Sequence, residues 1–427
     1  MNALTRWIAD YREAARHFSR PARMFLVSTQ LSWMAYGLNS VLFNLYLIAG
    51  GYRESFVGRI VSLNALGIVL TALPAGLLAD RWGRRRAIML GVLLEGLGLA
   101  ARASVRAPEV IGAASFFVGV GQALCAIAAA PYIAEHSTAR ERTHLFSAFF
   151  SVELLAGVAG SVLGGWAPPA ILRAAPAVGL RVAYRATLLL GAGIAFAAAG
   201  PLALLGGARE PVIRSAGGTA GESARRLAPI AVNAFLIGAG AGLVIPFMNL
   251  YFAERFRCSS AQIGMFFAVA AIMTALATSL GPALARRFGK LRTATAMELL
   301  SLPFLVTLGA ERRLEVAVGA FWLRATLMQA GTPLIYALIM ESLPPGLRAA
   351  SSSVNNTVWN AGWAVSATMS GVLIQRFGYA VPFYVTAVLY ATAAITFYLS
   401  FRRRPEVYVE EPPPPDMTVH TEAPIVE

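Results

Sequence analysis

Residues 76–86 read Gly76-Leu77-Leu78-Ala79-Asp80-Arg81-Trp82-Gly83-Arg84-Arg85-Arg86. Residues 282–292 read Pro282-Ala283-Leu284-Ala285-Arg286-Arg287-Phe288-Gly289-Lys290-Leu291-Arg292. The second stretch lies 206 positions after the first, so Gly83 falls on Gly289. The same offset carries Glu135 to Glu341, Arg142 to Arg348, Ser147 to Ser353, Gly58 to Gly264 and Gly165 to Gly371. One residue out of step, Asn44-Leu45-Tyr46 matches Asn249-Leu250-Tyr251. Chance supplies one such match, but not a set spread along both halves. The chain is an internal duplication.

The material that is duplicated is membrane-spanning. Of 427 residues, 57% are hydrophobic and 14% charged, with mean hydropathy +0.61. Soluble domains carry about a quarter charged residues. A span needs roughly 20 mostly apolar residues, and such runs lie near 24–49, 56–79, 87–105, 109–134, 144–168, 183–206, 227–252, 261–284, 293–310, 314–340, 350–374 and 382–401. These are numbered spans 1 to 12. The first is too long for a signal-peptide core, so it is expected to serve as its own insertion signal.

A net charge of +14 suggests a nucleic-acid binder. The arginines argue against that, because they form short clusters between apolar runs and no single basic face. With the N-terminus cytoplasmic, inside segments hold 23 Lys/Arg and outside segments 12, with Arg324 inside a span. The positive-inside rule therefore predicts a multi-pass protein of the cell membrane with both termini cytoplasmic. Of the basic residues only Lys290 is lysine, which reads as genomic bias.

The expected organisation is an interfacial helix over 1–23, a six-helix bundle over 24–206, a cytoplasmic linker over 207–226, a second bundle over 227–401 and a disordered tail over 402–427. The first segment puts Leu4, Trp7, Ile8, Tyr11, Ala15 and Phe18 on one helical face. The tail is proline-rich and acidic. Parallel six-helix repeats suit a carrier whose halves rock about a midplane site. Cys125, Cys258 and the four histidines show no metal-ligand spacing, so no metal and no cofactor are expected.

The loop at 76–86 resembles, at every position, the signature G-x-x-x-D-R-x-G-R-R of the major facilitator superfamily, and it falls between spans 2 and 3, where that family carries it. The resemblance covers residues 20–402. It implies an all-α membrane protein with twelve transmembrane helices in two pseudo-symmetric six-helix bundles.

The loop's chemistry is also legible residue by residue. Gly76 permits close helix approach, Gly83 a tight turn, and Asp80 offers a carboxylate to the N-terminus of another helix. Arg81 completes the motif, and Arg84 and Arg85 can reach an acidic partner. In the family such loops latch the outward-facing state. The resemblance implies that Asp80 meets the start of span 11 near Ser351 and that the arginines reach Glu135. In the second copy Arg286 replaces Asp80, while Glu341 and Arg348 survive and leave one ion pair expected there. Span 5 reads Gly160-Ser161-Val162-Leu163-Gly164-Gly165, similar to an exporter motif with Ser161 in place of proline. Span 4 reads Gly119-Val120-Gly121-Gln122, resembling a motif of proton-coupled members, with Ser115 where those carry arginine.

Ionised groups at a helix centre cost about 2.5–3.5 kcal/mol on insertion scales, so the charges inside spans are candidates for coupling. They are Glu95, Glu153, Glu298 and Arg324. Glu153 shares a stripe with Gly157, Gly160 and Gly164, a face that meets protein. Desolvation makes its charged form costly, which suits a carboxyl that binds and releases a proton. By family architecture spans 1, 4, 7 and 10 line the cavity, which implies that Arg324 points into it. Gln30, Trp33, Ser40 and Asn44 form a stripe on span 1, with Tyr36 beside it. Asn356, Asn360 and Trp363 form another on span 11. With Gln122 and Asn249 they suit a wall for an amphipathic substrate, although interhelical hydrogen bonding explains any single one equally well.

The expected function is secondary active transport of a small molecule, as an exporter of amphipathic compounds by proton antiport. The alternative is an uptake symporter or facilitator in which Arg324 binds an anionic group. A membrane-embedded enzyme would need carboxylate pairs, histidine clusters or metal ligands, and none stands out, so no catalytic residue is assigned. The expected partners are the substrate, a coupling proton and the bilayer. Nothing demands more than a monomer.

Overall fold

The computed structural model describes residues 18–138, 141–205 and 220–402; the expected interfacial helix, most of the linker and the tail lie outside them. Twelve helical spans run antiparallel in sequence. In the first half they are α1 (Arg20–Ala49), α2 (Glu54–Trp82), α3 (Arg84–Ser104), α4 (Pro108–Glu135), α5 (Arg142–Ala174) and α6 (Leu180–Ala197, continued by Ala199–Ala203). In the second they are α7 (Ala220–Val244, continued by short turns to Arg255), α8 (Ser260–Phe288), α9 (Lys290–Ala310), α10 (Leu314–Ala330 and Thr332–Glu341), α11 (Pro345–Phe377) and α12 (Ala380–Phe401).

Ten of these are long and apolar enough to cross a membrane by length and composition. The other two depart for visible reasons. α10 is broken at Gly331, and α11 carries Ser351, Ser352, Ser353, Asn355, Asn356 and Asn360 along its first turns. A helix that polar persists in lipid only if its polar face meets protein or water. Several helices overrun the apolar runs; residues 220–226, expected in the linker, are already helical in α7. Hydropathy marks contact with lipid, whereas the helix continues wherever alanine, glutamate and arginine sustain its hydrogen bonds.

The repeated glycines at the α2–α3 and α8–α9 junctions are explained by backbone. Gly83 has φ 93° and Gly289 φ 84°, in the region that disfavours a side chain, and each ends one helix and starts the next.

Among the described residues the halves meet on one side. The first and last described residues define a terminal side; the loops at 50–53, 256–259 and 378–379 define a far side. On the far half of the molecule Gly58 of α2 lies against the Ala367 carbonyl of α11, and Gly371 against Glu54. The α5–α8 seam repeats this with Gly165 against Ser260 and Gly264 against Ser161. Ser62 donates to the Ala364 carbonyl and accepts from Thr368 at 2.7 Å. Ser260 donates to the Gly165 carbonyl at 2.9 Å.

Toward the terminal side the same faces part. Gly58 seats the Ala367 carbonyl, but Gly76, five turns on along the same face of α2, has no atom of α11 within 4 Å of an added side chain. On α8, Gly264 touches α5, whereas Pro282, five turns on along the same face, is exposed. The cores agree. The largest apolar cluster joins Leu42, Tyr46 and Val57 to Leu250, Tyr251 and Phe252 across the halves at the far side. Nearer the terminal side the clusters separate, one around Phe25 and Tyr132, the other around Ile339 and Phe397.

This geometry makes a direct prediction. A double Ser62→Cys, Thr368→Cys variant, with Cys125 and Cys258 replaced, should cross-link under mild oxidation and lose at least nine-tenths of its transport. Reductant should restore it. Full transport by the oxidised, cross-linked protein would show that the seam does not open.

Candidate functional site

Because α1 is a straight helix, its exposed stripe can be traced against the other half. At its far end Asn44 donates to the Pro246 carbonyl of α7 at 2.6 Å and to Asn249 at 3.2 Å. Asn249 returns bonds to the carbonyls of Ser40 and Val41 at 3.2 and 3.0 Å. Nearer the terminal side, Gln30, Tyr36 and Ser40 on that face are exposed, and Trp33 is half-buried. They face the space that the parted halves leave.

Glu153 of α5 sits beside them. The Gly157 carbonyl and Gly160 seat α5 on the backbone of α1 at Gly37 and Met34, so close that neither Gly37 nor Gly160 has room for a side chain. That approach places the half-buried Glu153 carboxyl beside the Trp33 indole. Trp33 in turn meets Tyr36 edge-on, with ring centroids 5.2 Å apart. The result is one carboxyl beside an aromatic pair on an accessible wall.

The facing wall is polar and uncharged. Asn356 is exposed and accepts from buried Asn360 at 2.7 Å. Trp363 is half-buried and lies 5.0 Å from Trp359 between centroids. Sequence reasoning missed Asn355, which donates to the Tyr336 hydroxyl of α10 at 2.9 Å, and the exposed Gln329. For Asn355 the signal was available: it adjoins Asn356 in the polar first turns of α11.

The remaining charges deep in the spans are buried. Arg324, expected on the cavity wall, is 4% exposed and donates to the Tyr390 hydroxyl of α12 at 3.1 Å. That hydroxyl of α12 holds its guanidinium. Glu298 is also buried and lies near Tyr390, yet no ion pair joins it to Arg324. One oxygen of Glu298 and the Arg324 Nε have no hydrogen-bond partner. In the first half Glu95 is buried against Gln122 of α4, and Gln122 accepts from Asn64 of α2 at 3.3 Å. Gln122 therefore braces α2, α3 and α4. Arg102, two turns from Glu95, donates to Asn39 at 2.7 Å and stacks over Phe43 at 3.8 Å.

The signature loop is unlatched. Asp80 reaches Arg84 of its own half at 3.5 Å and makes no contact with Ser351, because the halves are apart on this side. Gly76 likewise has space around it, the nearest atom to an added side chain being on Ile127 at 3.9 Å. Arg81 is exposed. Arg84 pairs with Glu135 as expected, while Arg85 donates to the Leu202 carbonyl at 2.8 Å. Arg142 donates to the Ala134 carbonyl at 3.2 Å, and Arg348 to that of Leu343 at 3.4 Å. The second-half ion pair joins Glu341 not to Arg348 but to Lys290, the repeat-equivalent of Arg84. The one lysine of the chain thus has a structural place that a reading by composition dismissed. Asn44 and Asn249, expected on the substrate wall, are buried in the far-side closure.

Comparison with known proteins places this architecture. A family model described as Major Facilitator Superfamily matches twice, over residues 25–229 and 230–426. The tetracycline resistance protein, class C, of Escherichia coli is 32% identical over 247 residues, which span 55% of this chain and 59% of that relative's length. A crystal structure of a bacterial homolog to the human lysosomal transporter Spinster, inward-facing and unoccupied, superposes with TM-score 0.74 at 16% identity, covering 90% of this chain and 96% of that one. The D-xylose-proton symporter does so with TM-score 0.68 at 16% identity, covering 91% and 98%.

The two intra-half ion pairs differ in burial, which predicts different costs. Side-chain exposure is 14% and 11% for Arg84 and Glu135, but 38% and 40% for Lys290 and Glu341. Glu135→Gln should destabilise by about 1–3 kcal/mol, the range for stranding a buried charged partner. Glu341→Gln should cost under about 1 kcal/mol. Thermal unfolding in detergent checks this; a larger loss for Glu341→Gln would contradict it.

Proposed function

The chain belongs to the major facilitator superfamily and is a multi-pass membrane transporter, and on that premise we propose that it exports small amphipathic cations in exchange for protons. The observation that carries this reading is Glu153, a half-buried carboxyl beside Trp33, whose indole meets Tyr36 edge-on. The other charges deep in the spans, Arg324, Arg102, Glu95 and Glu298, are buried. A negative site beside aromatic faces attracts a cation with an apolar body, through both charge and ring quadrupole.

The excess of basic residues at the terminal side supports a cytoplasmic position for both termini. The open side then faces the cytoplasm, and the structure is inward-open. Antiport follows from competition. Substrate and proton neutralise the same carboxyl, and an uncompensated charge there resists closure because burying it costs several kcal/mol. The halves therefore rock with Glu153 occupied by one or the other. A ligand shifts such an equilibrium only through its different affinity for the two states, which is what closure around a neutralised Glu153 supplies. The match to a tetracycline resistance protein supports export. The uptake reading with an anionic substrate loses its main support in this state, because Arg324 is buried and engaged with Tyr390.

In inside-out vesicles with an acidified lumen, wild type should accumulate a lipophilic cationic fluorophore. Glu153→Gln should cut gradient-driven accumulation at least tenfold. Trp33→Phe should retain gradient dependence with a raised KM. Wild-type protein that is folded yet drives no uptake, or Glu153→Gln with unchanged coupling, would overturn the reading.

A further inference from the structure

Outside the central space, α2 and α4 enclose a groove of about 440 Å³ near the far side. Its lining includes Phe56, Arg59 and Leu63 of α2 and Glu109, Phe116 and Phe117 of α4. The seam face of α2 beside it, at Gly58 and Ser62, is sealed against α11. A groove open at this level therefore opens outward, to the membrane.

Its charges are ordered by depth. Both helices start at the far side, at Glu54 and Pro108. At 1.5 Å per residue Glu109 lies about 1.5 Å below its helix start, Arg59 about 7.5 Å and Leu63, Phe116 and Phe117 about 12–13.5 Å. From the surface inward the groove thus presents a carboxylate, then a guanidinium, then an apolar slot. Arg59 and Glu109 are both exposed and form no ion pair with each other. Arg59 leans on the Phe56 ring at 5.7 Å, which fixes its stem along the groove.

A zwitterionic phospholipid carries the complementary groups in the same order: ammonium outermost, phosphate beneath it, acyl chains below. We infer that this groove is a binding site for an ammonium-bearing phospholipid of the far-side leaflet. Its phosphate sits on Arg59, its ammonium on Glu109 and one acyl chain against Leu63, Phe116 and Phe117. Arginine suits the phosphate because its planar fork donates two parallel bonds. Glu109 supplies selectivity. It repels the headgroup of an anionic lipid with no cation of its own, so phosphatidylglycerol is disfavoured although Arg59 would accept its phosphate.

Native mass spectrometry of delipidated protein, with phosphatidylethanolamine or phosphatidylglycerol of identical chains added back, tests this. Wild type should retain phosphatidylethanolamine at least fivefold better. Arg59→Gln should lower retention of both lipids about tenfold, and Arg59→Lys should recover part of it, which separates loss of the site from misfolding. Glu109→Gln should abolish the preference between the two. Ala113→Trp, which fills the groove, should displace phosphatidylethanolamine while leaving fluorophore binding at the central site unchanged. Equal retention of both lipids by wild type, or retention indifferent to Arg59→Gln and Ala113→Trp, would overturn the assignment.

Discussion

Two helix bundles in a bilayer have no hydrophobic reason to hold together, because lipid tails are as apolar as leucine. What joins them here is close backbone approach on the far side. Carbonyls at Ala367 and Glu54 are seated on Gly58 and Gly371, and those of Ser260 and Ser161 on Gly165 and Gly264. Gly58 and Gly264 are repeat-equivalents, as are Gly165 and Gly371, so one duplicated contact closes both seams. Contacts of this kind are numerous but individually weak. They hold one state without making it permanent, as a carrier requires.

Rocking also requires that each half move as a body. Within the halves the ties are stronger. Arg84–Glu135 and Lys290–Glu341 staple α3 to α4 and α9 to α10 at equivalent places. The Gln122 network joins α2, α3 and α4, and Arg324 with Tyr390 joins α10 to α12. Most buried charge of the protein is thus spent on rigidity inside a half. Glu153 stands apart because glycine contacts bring α5 onto α1 and leave its carboxyl at the opening, beside Trp33.

The sequence made much of this legible. Twelve apolar runs, the 206-residue offset and the loop at 76–86 define the architecture, and the glycine stripe on α5 correctly faces protein. Periodicity, however, gives a stripe without its neighbour. Arg324 was placed on a cavity-lining helix, but periodicity does not show its bond to Tyr390 of α12. Asn44 and Asn249 stood out as a repeated pair, yet their burial in the far-side closure depends on the break of α7 at Ile245–Phe247, which hydropathy does not register. Lys290 was overlooked although the offset itself pointed to it, since it occupies the place of Arg84. Asp80 reaches Arg84 of its own half, a choice of partner that the motif alone does not give.

The central claim is that the halves exchange a far-side closure for a terminal-side closure. Trp82 and Phe288, equivalent under the repeat and both exposed, flank the open side. Gly51 and Arg257 lie in the far-side loops. Double electron–electron resonance on spin labels at each pair, across pH and with a cationic substrate, measures the exchange. The account predicts a shorter Trp82–Phe288 population appearing in step with a longer Gly51–Arg257 one. Distances that stay fixed, or that lengthen and shorten together on both sides, would contradict it.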